Sequence, residues 1–180
     1  MINILITGGL GFIGSKIIKQ LDKSKYSITI IDNKSSNVLE DFENCKILNM
    51  DLSDKEILKK NFDEKFDIAL HLAGQTSGPA SIEDPEKDVR LNVLMTVNTI
   101  LLCKKLNVKK FIFASTFAVY GDSNKQLLDE DDNCYPKSIY GVSKKSCEEY
   151  IKILCSEYKM NYIILRMFNV YGEGQDFNRD

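Results

Sequence analysis

The stretch Asn3-Ile4-Leu5-Ile6-Thr7-Gly8-Gly9-Leu10-Gly11-Phe12-Ile13-Gly14 opens the chain with an apolar run, a glycine turn and the start of an amphipathic segment. Asn3 to Thr7 reads as a strand. Beyond the glycines, Ile13, Ile17, Ile18 and Leu21 recur at helical spacing and lay one stripe on a core. A strand that turns through glycines into a helix is the context in which a Gly-x-x-Gly-x-x-Gly pattern carries chemical meaning. Gly8 permits the tight turn, Gly11 lets the backbone approach a pyrophosphate, and Gly14 allows close packing of helix on strand. The pyrophosphate charge then lies at the positive end of the helix that Phe12 and Ile13 open, and these two count among the cofactor-binding residues.

Working outward, further apolar runs cover Ser27 to Ile31, Cys45 to Met50, Phe66 to Leu72, Lys110 to Ser115 and Asn161 to Met167. Several are apolar at consecutive positions, as expected of parallel strands covered on both faces. Helices are expected between them. One follows Ser53, where Ser53-x-x-Glu56 has the form of a capping box. A long one runs from about Asp84 to Leu106, with Leu91, Leu94, Met95, Asn98, Leu101 and Leu102 on its stripe, and another from about Val142 to Tyr158. The alternation predicts an α/β fold: a doubly wound parallel sheet, the Rossmann fold, with helices on both faces and its ligand at the carboxyl ends of the strands. Residues 1–180 suit one such domain, too short for a complete second one.

Composition narrows the partners. Lys and Arg number 24 against 26 acidic residues, a net charge of −2, so no field draws in nucleic acid or an anionic membrane. The five cysteines, Cys45, Cys103, Cys134, Cys147 and Cys155, lack Cys-x-x-Cys spacing, which argues against a disulfide framework and a zinc site. Reduced thiols and the absence of a long apolar run or basic leader point to a soluble, cytoplasmic protein.

The chemistry is expected just after the strands. Asp32 ends the second strand, where a carboxylate accepts from both ribose hydroxyls and repels a 2′-phosphate; this favours NAD over NADP, with Lys34 close enough to soften the preference. Asp51 and Leu52 follow the third strand, and Asp51 has two readings, contact with adenine or cap of the next helix. His71, Leu72, Ala73 and Gly74 end the fourth, where small residues let the backbone pass beside the cofactor; His71, the only histidine, reads better as a hydrogen-bonded structural residue than as a catalyst. Ser115 and Thr116 end the fifth and present hydroxyls near the switch point, with Thr116 the candidate to orient a substrate hydroxyl. Tyr140 and Lys144 stand four residues apart, on one helix face. A neighbouring ammonium and a cationic nicotinamide favour the phenolate, so Tyr140 is placed to take a hydroxyl proton as hydride leaves the same carbon, while Lys144 is placed to hold the nicotinamide ribose. The acidic run Asp129-Glu130-Asp131-Asp132 lacks calcium-loop spacing and reads as a solvated loop, so no metal is expected.

With these residues on the page, the sequence resembles the extended short-chain dehydrogenase/reductase family, also called the NAD-dependent epimerase/dehydratase family. The likeness runs through Thr7 to Gly14, Asp32, Asp51-Leu52, His71 to Ala73, Asn92, Ser115 to Gly121, Tyr140 to Lys144 and Arg166 to Gly172. It implies Tyr140 as catalytic base, Lys144 as its electrostatic partner and Thr116 as the third member. It implies Asn92 as the asparagine that supports the cofactor site and Asn169 as a contact to the substrate's diphosphate, with Arg166 structural. It further implies a sugar-nucleotide substrate, and a homodimer through the 84–106 and 142–158 helices, although their apolar stripes could also be satisfied within the core. Members usually run past 300 residues; the chain stops at Asp180, and Glu173 stands where a proline is common, so the C-terminal substrate region is read as largely missing. Such a piece is expected to bind NAD yet scarcely to catalyse, because remote contacts hold a reacting carbon in place. The family's 4,6-dehydratases carry Asp-Glu where Phe117 and Ala118 stand, which disfavours dehydration. An NAD-dependent epimerase leads; a reductase uses the same residues, and a non-catalytic NAD-binding module is the rival from another class.

Overall fold

Strand β1 (Ile2–Thr7) sits at the centre of a six-stranded parallel sheet in the order β3-β2-β1-β4-β5-β6. Its neighbours are β2 (Tyr26–Asp32) and β4 (Ile68–His71), followed outward by β3 (Cys45–Asn49) on one side and β5 (Lys110–Thr116) and β6 (Asn161–Met167) on the other. The computed structural model describes residues 1–35, 42, 44–62, 64–123 and 125–175. Within it, each expected strand forms within two residues of its expected ends.

The central strands are covered on both faces, as their consecutive apolar residues require, whereas Tyr162, Ile163 and Leu165 of the edge strand β6 are exposed. Successive side chains of a strand point to opposite faces. Ile4 and Ile6 of β1 accordingly join Ile18, Ile28 and Ile30 in one buried cluster, while Leu5 joins Ile31, Phe111, Phe113, Ile100 and Ile151 in the other. The first cluster is roofed by α1 (Phe12–Gln20). The second is roofed by α4 (Met95–Lys105) and α5 (Ile139–Glu157).

Three elements depart from expectation. Glu56 does not complete a capping box with Ser53: the segment is a short 3-10 helix, Lys55–Lys59, and Asp54 caps it by accepting from the Glu56 N–H at 2.9 Å. Ser53 instead accepts from the Arg90 guanidinium at 3.2 Å. The expected long helix is interrupted. After α2 (Gly78–Glu83), α3 (Pro85–Val89) runs into a π-helical turn, Arg90–Leu94, before α4 resumes. The extra residue shifts the phase of the stripe, which is why Leu94 is exposed and Met95 buried. Helix α5 starts earlier than expected because the Ser138 hydroxyl caps it, accepting from the Gly141 N–H at 3.0 Å.

The register sets up the site. Thr7 is level with Ile31 on one side and His71 on the other, and Thr116 is level with Met167. The glycine turn, Asp32, the segment after His71, Thr116 and the segment after Met167 therefore emerge along one edge, around the point where strand order reverses between β1 and β4. No helix among the described residues is long and apolar enough to cross a membrane.

Candidate active site

A cleft of about 960 Å³ opens along that edge. Gly8, Gly11, Phe12, Ile13, Gly14, Asp32, Asp51, Leu52, Leu72, Ala73, Ser115, Thr116, Tyr140, Lys144 and Asn169 all line it. Asn92 does not: it is buried beneath Gly74, where a Cβ would lie 2.7 Å from its side-chain oxygen.

The glycine turn is shaped by two close approaches. Gly8 has φ +68°, in the left-handed region, and a Cβ there would meet the backbone N of Ala73 at 2.6 Å. A Cβ on Gly14 would meet the carbonyl oxygen of Gly8 at 2.6 Å, so α1 can seat against the turn only with glycine at that position. No side chain caps the N-terminus of α1, and its first turn carries no acidic residue. Its free N–H groups and positive end therefore face the cleft, as a pyrophosphate requires.

Asp32 is buried, and each of its oxygens takes one backbone N–H, Leu10 at 3.0 Å and Lys34 at 2.7 Å. These bonds fix the carboxylate at the cleft and leave each oxygen a second lone pair for a ribose hydroxyl. Asp51 closes a turn by accepting from the Ser53 N–H at 2.8 Å while lining the cleft; the helix cap itself is Asp54. The donors, the acceptor and the glycine cradle fit a dinucleotide.

The far end of the cleft holds the chemical groups. Tyr140 is set by its own backbone: its N–H donates to Ser81 Oγ at 3.2 Å, and Ser81 Oγ donates to the Gly78 carbonyl at 2.6 Å. The Thr116 hydroxyl accepts from the Ala118 N–H at 3.2 Å at the head of a 3-10 turn, Phe117–Val119. Lys144 is 6% exposed and rests its ammonium over the Phe113 ring, 4.2 Å from the centroid. Burial pulls its pKa down to about 8, with Cys147, Glu148 and Asp88 acting in the opposite sense. Burial pushes the Tyr140 phenol up to about 12; the Thr116 hydroxyl lowers it, and the charge of Asp88 raises it further. Tyr140 is thus a neutral phenol in the free chain. The sequence reading relies on an ammonium and a cationic nicotinamide together to favour the phenolate; in the chain alone, burial is the largest influence on the phenol.

His71 is a structural residue. It is 1% exposed, its Nδ1 lies 2.6 Å from Thr7 Oγ1 and its Nε2 3.1 Å from Thr96 Oγ1. Burial drives its pKa to about 3, so it stays neutral at physiological pH. Arg166 is structural too. It clamps the buried Glu148 carboxylate, with Nη2 to Oε2 at 2.8 Å, and donates to Tyr120 Oη and the Glu130 carbonyl. Ser115 donates to the same Glu148 at 2.6 Å, tying β5, α5 and β6 together behind Thr116. In the acidic loop, Asp132 pairs with Lys125 and accepts from the Asp129 N–H. Among the described residues no cluster of His, Cys, Asp and Glu could hold a metal ion.

Sequence reasoning missed part of the lining: Gln75 and Ser77 after β4, and Phe117 and Phe168, whose rings stack with centroids 5.4 Å apart. Gln75 folds back on Ser77, its amide donating to the Ser77 carbonyl at 2.8 Å and accepting from the Ser77 N–H. Position was the available signal, since both pairs follow strands that carry predicted site residues.

The fold is shared with solved sugar-nucleotide epimerases. The UDP-N-acetylglucosamine 4-epimerase from Methanobrevibacter ruminantium, solved with UDP-N-acetylmuramic acid, is 39% identical and superposes with a TM-score of 0.87 over 98% of this chain and 57% of its own. The UDP-glucose 4-epimerase of Thermus thermophilus, solved with NAD, is 34% identical with a TM-score of 0.90 over 97% of this chain and 58% of its own. A bifunctional UDP-glucose and UDP-xylose 4-epimerase of Pisum sativum is 33% identical across 94% of this chain and 52% of its length. The chain therefore spans little more than half the length of these relatives. The model of the NAD dependent epimerase/dehydratase family matches residues 4–180, and the chain belongs to that family.

Proposed function

We propose that this chain is the cofactor-binding part of an NAD-dependent sugar-nucleotide epimerase, which oxidises a sugar hydroxyl to a ketone and returns hydride to the other face of the same carbon. The observation that carries the reading is the convergence of Tyr140, Lys144 and Thr116 on one cleft with the glycine turn and Asp32. Gly8, Gly11, Phe12, Ile13 and Gly14 would hold the pyrophosphate, Asp32 the adenine ribose, Asp51 and Leu52 the adenine, and Leu72, Ala73, Ser115, Tyr140 and Lys144 the nicotinamide half. Bound there, NAD supplies the hydride acceptor and a positive charge.

The chain's own residues then handle the proton. Thr116 orients the sugar hydroxyl toward Tyr140, and the phenolate oxygen takes its proton as the carbon is oxidised. The same phenol returns that proton when the ketone is reduced. Lys144, desolvated beside Phe113, supplies a positive charge that water does not screen. With the Tyr140 phenol pushed up to about 12 in the free chain, the charges of Lys144 and of the bound cofactor would both act to favour the phenolate. Asn169 would reach the diphosphate of the sugar nucleotide, and Asn92 would support the site from beneath Gly74.

Phe117 and Ala118 hold no acid or base, which supports epimerisation over dehydration. A reductase would share every residue named. A purely NAD-binding module is disfavoured, since it has no need of an intact Tyr-Lys-Thr set. A second copy would dock on the outer faces of the helical pair, where Val89, Leu94, Val142, Tyr150 and Ile153 are exposed. The reading places the protein in the cytoplasm. In the complete protein, Tyr140→Phe should abolish turnover of UDP-sugars and leave NAD affinity nearly unchanged; retained turnover would remove Tyr140 from the mechanism.

A further inference from the structure

The ends of β5 and β6 carry a feature of the cleft that the proton chemistry outlined above does not use. Thr116 and Met167 are level on the two strands, so Phe117 and Phe168 are the first pair beyond the sheet edge. Their rings stack, with centroids 5.4 Å apart and planes 11° from parallel, and both line the cleft. Phe117 is 39% exposed and Phe168 61%, and among the described residues they are the two exposed phenylalanines. An aromatic pair between neighbouring strands stabilises a sheet by burying its rings. This pair instead leaves much of its apolar surface open inside a concave site, as a binding wall does.

Its place in the cleft names the occupant. Phe117 directly follows Thr116, and its turn is locked to the helix that carries Tyr140: a Cβ on Gly141 would lie 2.7 Å from the Ala118 carbonyl oxygen, and the Tyr120 N–H donates to the Phe117 carbonyl at 3.0 Å. Phe168 directly precedes Asn169. The pair thus borders both the hydroxyl that orients the reacting carbon and the side chain assigned to the diphosphate. In a sugar nucleotide, the part between those two points is the pyranose. Return of hydride to the opposite face adds a demand, since the ketone must then present its other face to a nicotinamide that is held in place. Directional hydrogen bonds would favour one orientation. Both faces of a pyranose carry axial C–H groups, and the electron-rich face of an aromatic ring accepts either.

We propose that Phe117 and Phe168 together form the sugar platform of this site: the stacked pair takes the C–H face of the pyranose ring of a sugar nucleotide and holds it in either orientation without directional bonds. The proposal rests on the reading of the cleft as a sugar-nucleotide epimerase site. It makes both phenylalanines substrate-binding residues, while Thr116 and Tyr140 keep the reacting hydroxyl.

The test uses the complete protein holding NAD, with 13C-labelled phenylalanine rings and the two resonances assigned by their loss in Phe117→Leu and Phe168→Leu. Isotope-filtered NOEs should run from both rings to the pyranose C–H protons of unlabelled UDP-glucose or UDP-N-acetylglucosamine. Rings that stay silent toward both sugars, or that reach only uridine protons, would overturn the proposal. In the double variant Phe117→Ser/Phe168→Ser the affinity for the sugar nucleotide relative to UDP should fall about fivefold, the scale of one aromatic contact, while NAD affinity holds. An unchanged ratio in that variant, folded, would overturn the proposal equally; if it does not fold, the wild-type NOEs decide alone. None of these readings involves turnover. NOEs to the sugar together with an active Tyr140→Phe would leave the platform standing and remove the reaction assigned to the site.

Discussion

Replacing Gly8 by Ala isolates what the glycine turn requires. The left-handed backbone at φ +68° costs an L-residue about 1 to 2 kcal/mol. The new Cβ would also lie 2.6 Å from Ala73 N and 2.8 Å from Ala73 Cα. Those atoms are backbone beside β4, so β1 and β4 must separate locally, and such overpacking costs about 1 to 3 kcal/mol. Together the two effects amount to about 3 kcal/mol. With a urea dependence of about 2 kcal/mol/M for a domain of this size, the unfolding midpoint should drop by about 1.5 M. Gly78→Ala is the matched control. Gly78 lies at the start of α2, and a Cβ there meets nothing within 4 Å, so its midpoint should stay put or rise slightly through better helix propensity. Urea curves for both variants, followed by circular dichroism, settle the matter. Equal midpoints for Gly8→Ala and Gly78→Ala would refute the claim that backbone proximity at the turn dictates glycine there.

Three further outcomes follow from buried charge. The His71 pKa falls from 6.5 to about 3 on folding, so the unfolded chain binds more protons across that window and stability drops as pH falls through it. The loss between pH 7 and pH 4 should be about 3 kcal/mol, read from urea midpoints, and His71→Gln should flatten it. Lys144 is lowered from 10.5 to about 8, so its burial is a full liability below pH 8 and is relieved as pH climbs to 10.5. Lys144→Met should therefore be more stable than wild type by about 3 kcal/mol at pH 7, with the gap closing across that window, which calorimetric melting can check. Arg166→Met strands the buried Glu148 carboxylate and should destabilise by about 3 kcal/mol, while adding Glu148→Leu should recover most of the loss in a double-mutant cycle.

Much of the fold is legible in the sequence because each strand is a short apolar run and the first carries its glycine turn. Parallel pairing with both faces covered demands such runs, and the register then delivers Asp32, Thr116 and Asn169 to one edge without further instruction. The π turn at Arg90–Leu94 is not legible. A stripe with a spacing of three and four tolerates one inserted residue, and nothing in Arg90-Leu91-Asn92-Val93-Leu94 announces it. Ser53 resembled a cap because Glu56 sits three residues on; Asp54, one residue closer to the 3-10 turn, captures the free N–H instead. Tyr140 and Lys144 were visible from their spacing, but the weight of desolvation on each was not, since burial depends on Phe113 and the π turn, which come from distant parts of the chain.

The central claim, that this cleft binds NAD through the glycine turn and Asp32, is tested most directly by calorimetric titration of the 180-residue chain with NAD. Saturable one-to-one binding is predicted, weakened at least about tenfold in Asp32→Ala, the loss expected when about 1.4 kcal/mol of charge-assisted hydrogen bonding is removed. A wild-type chain that is folded by circular dichroism and takes up no NAD would contradict the account.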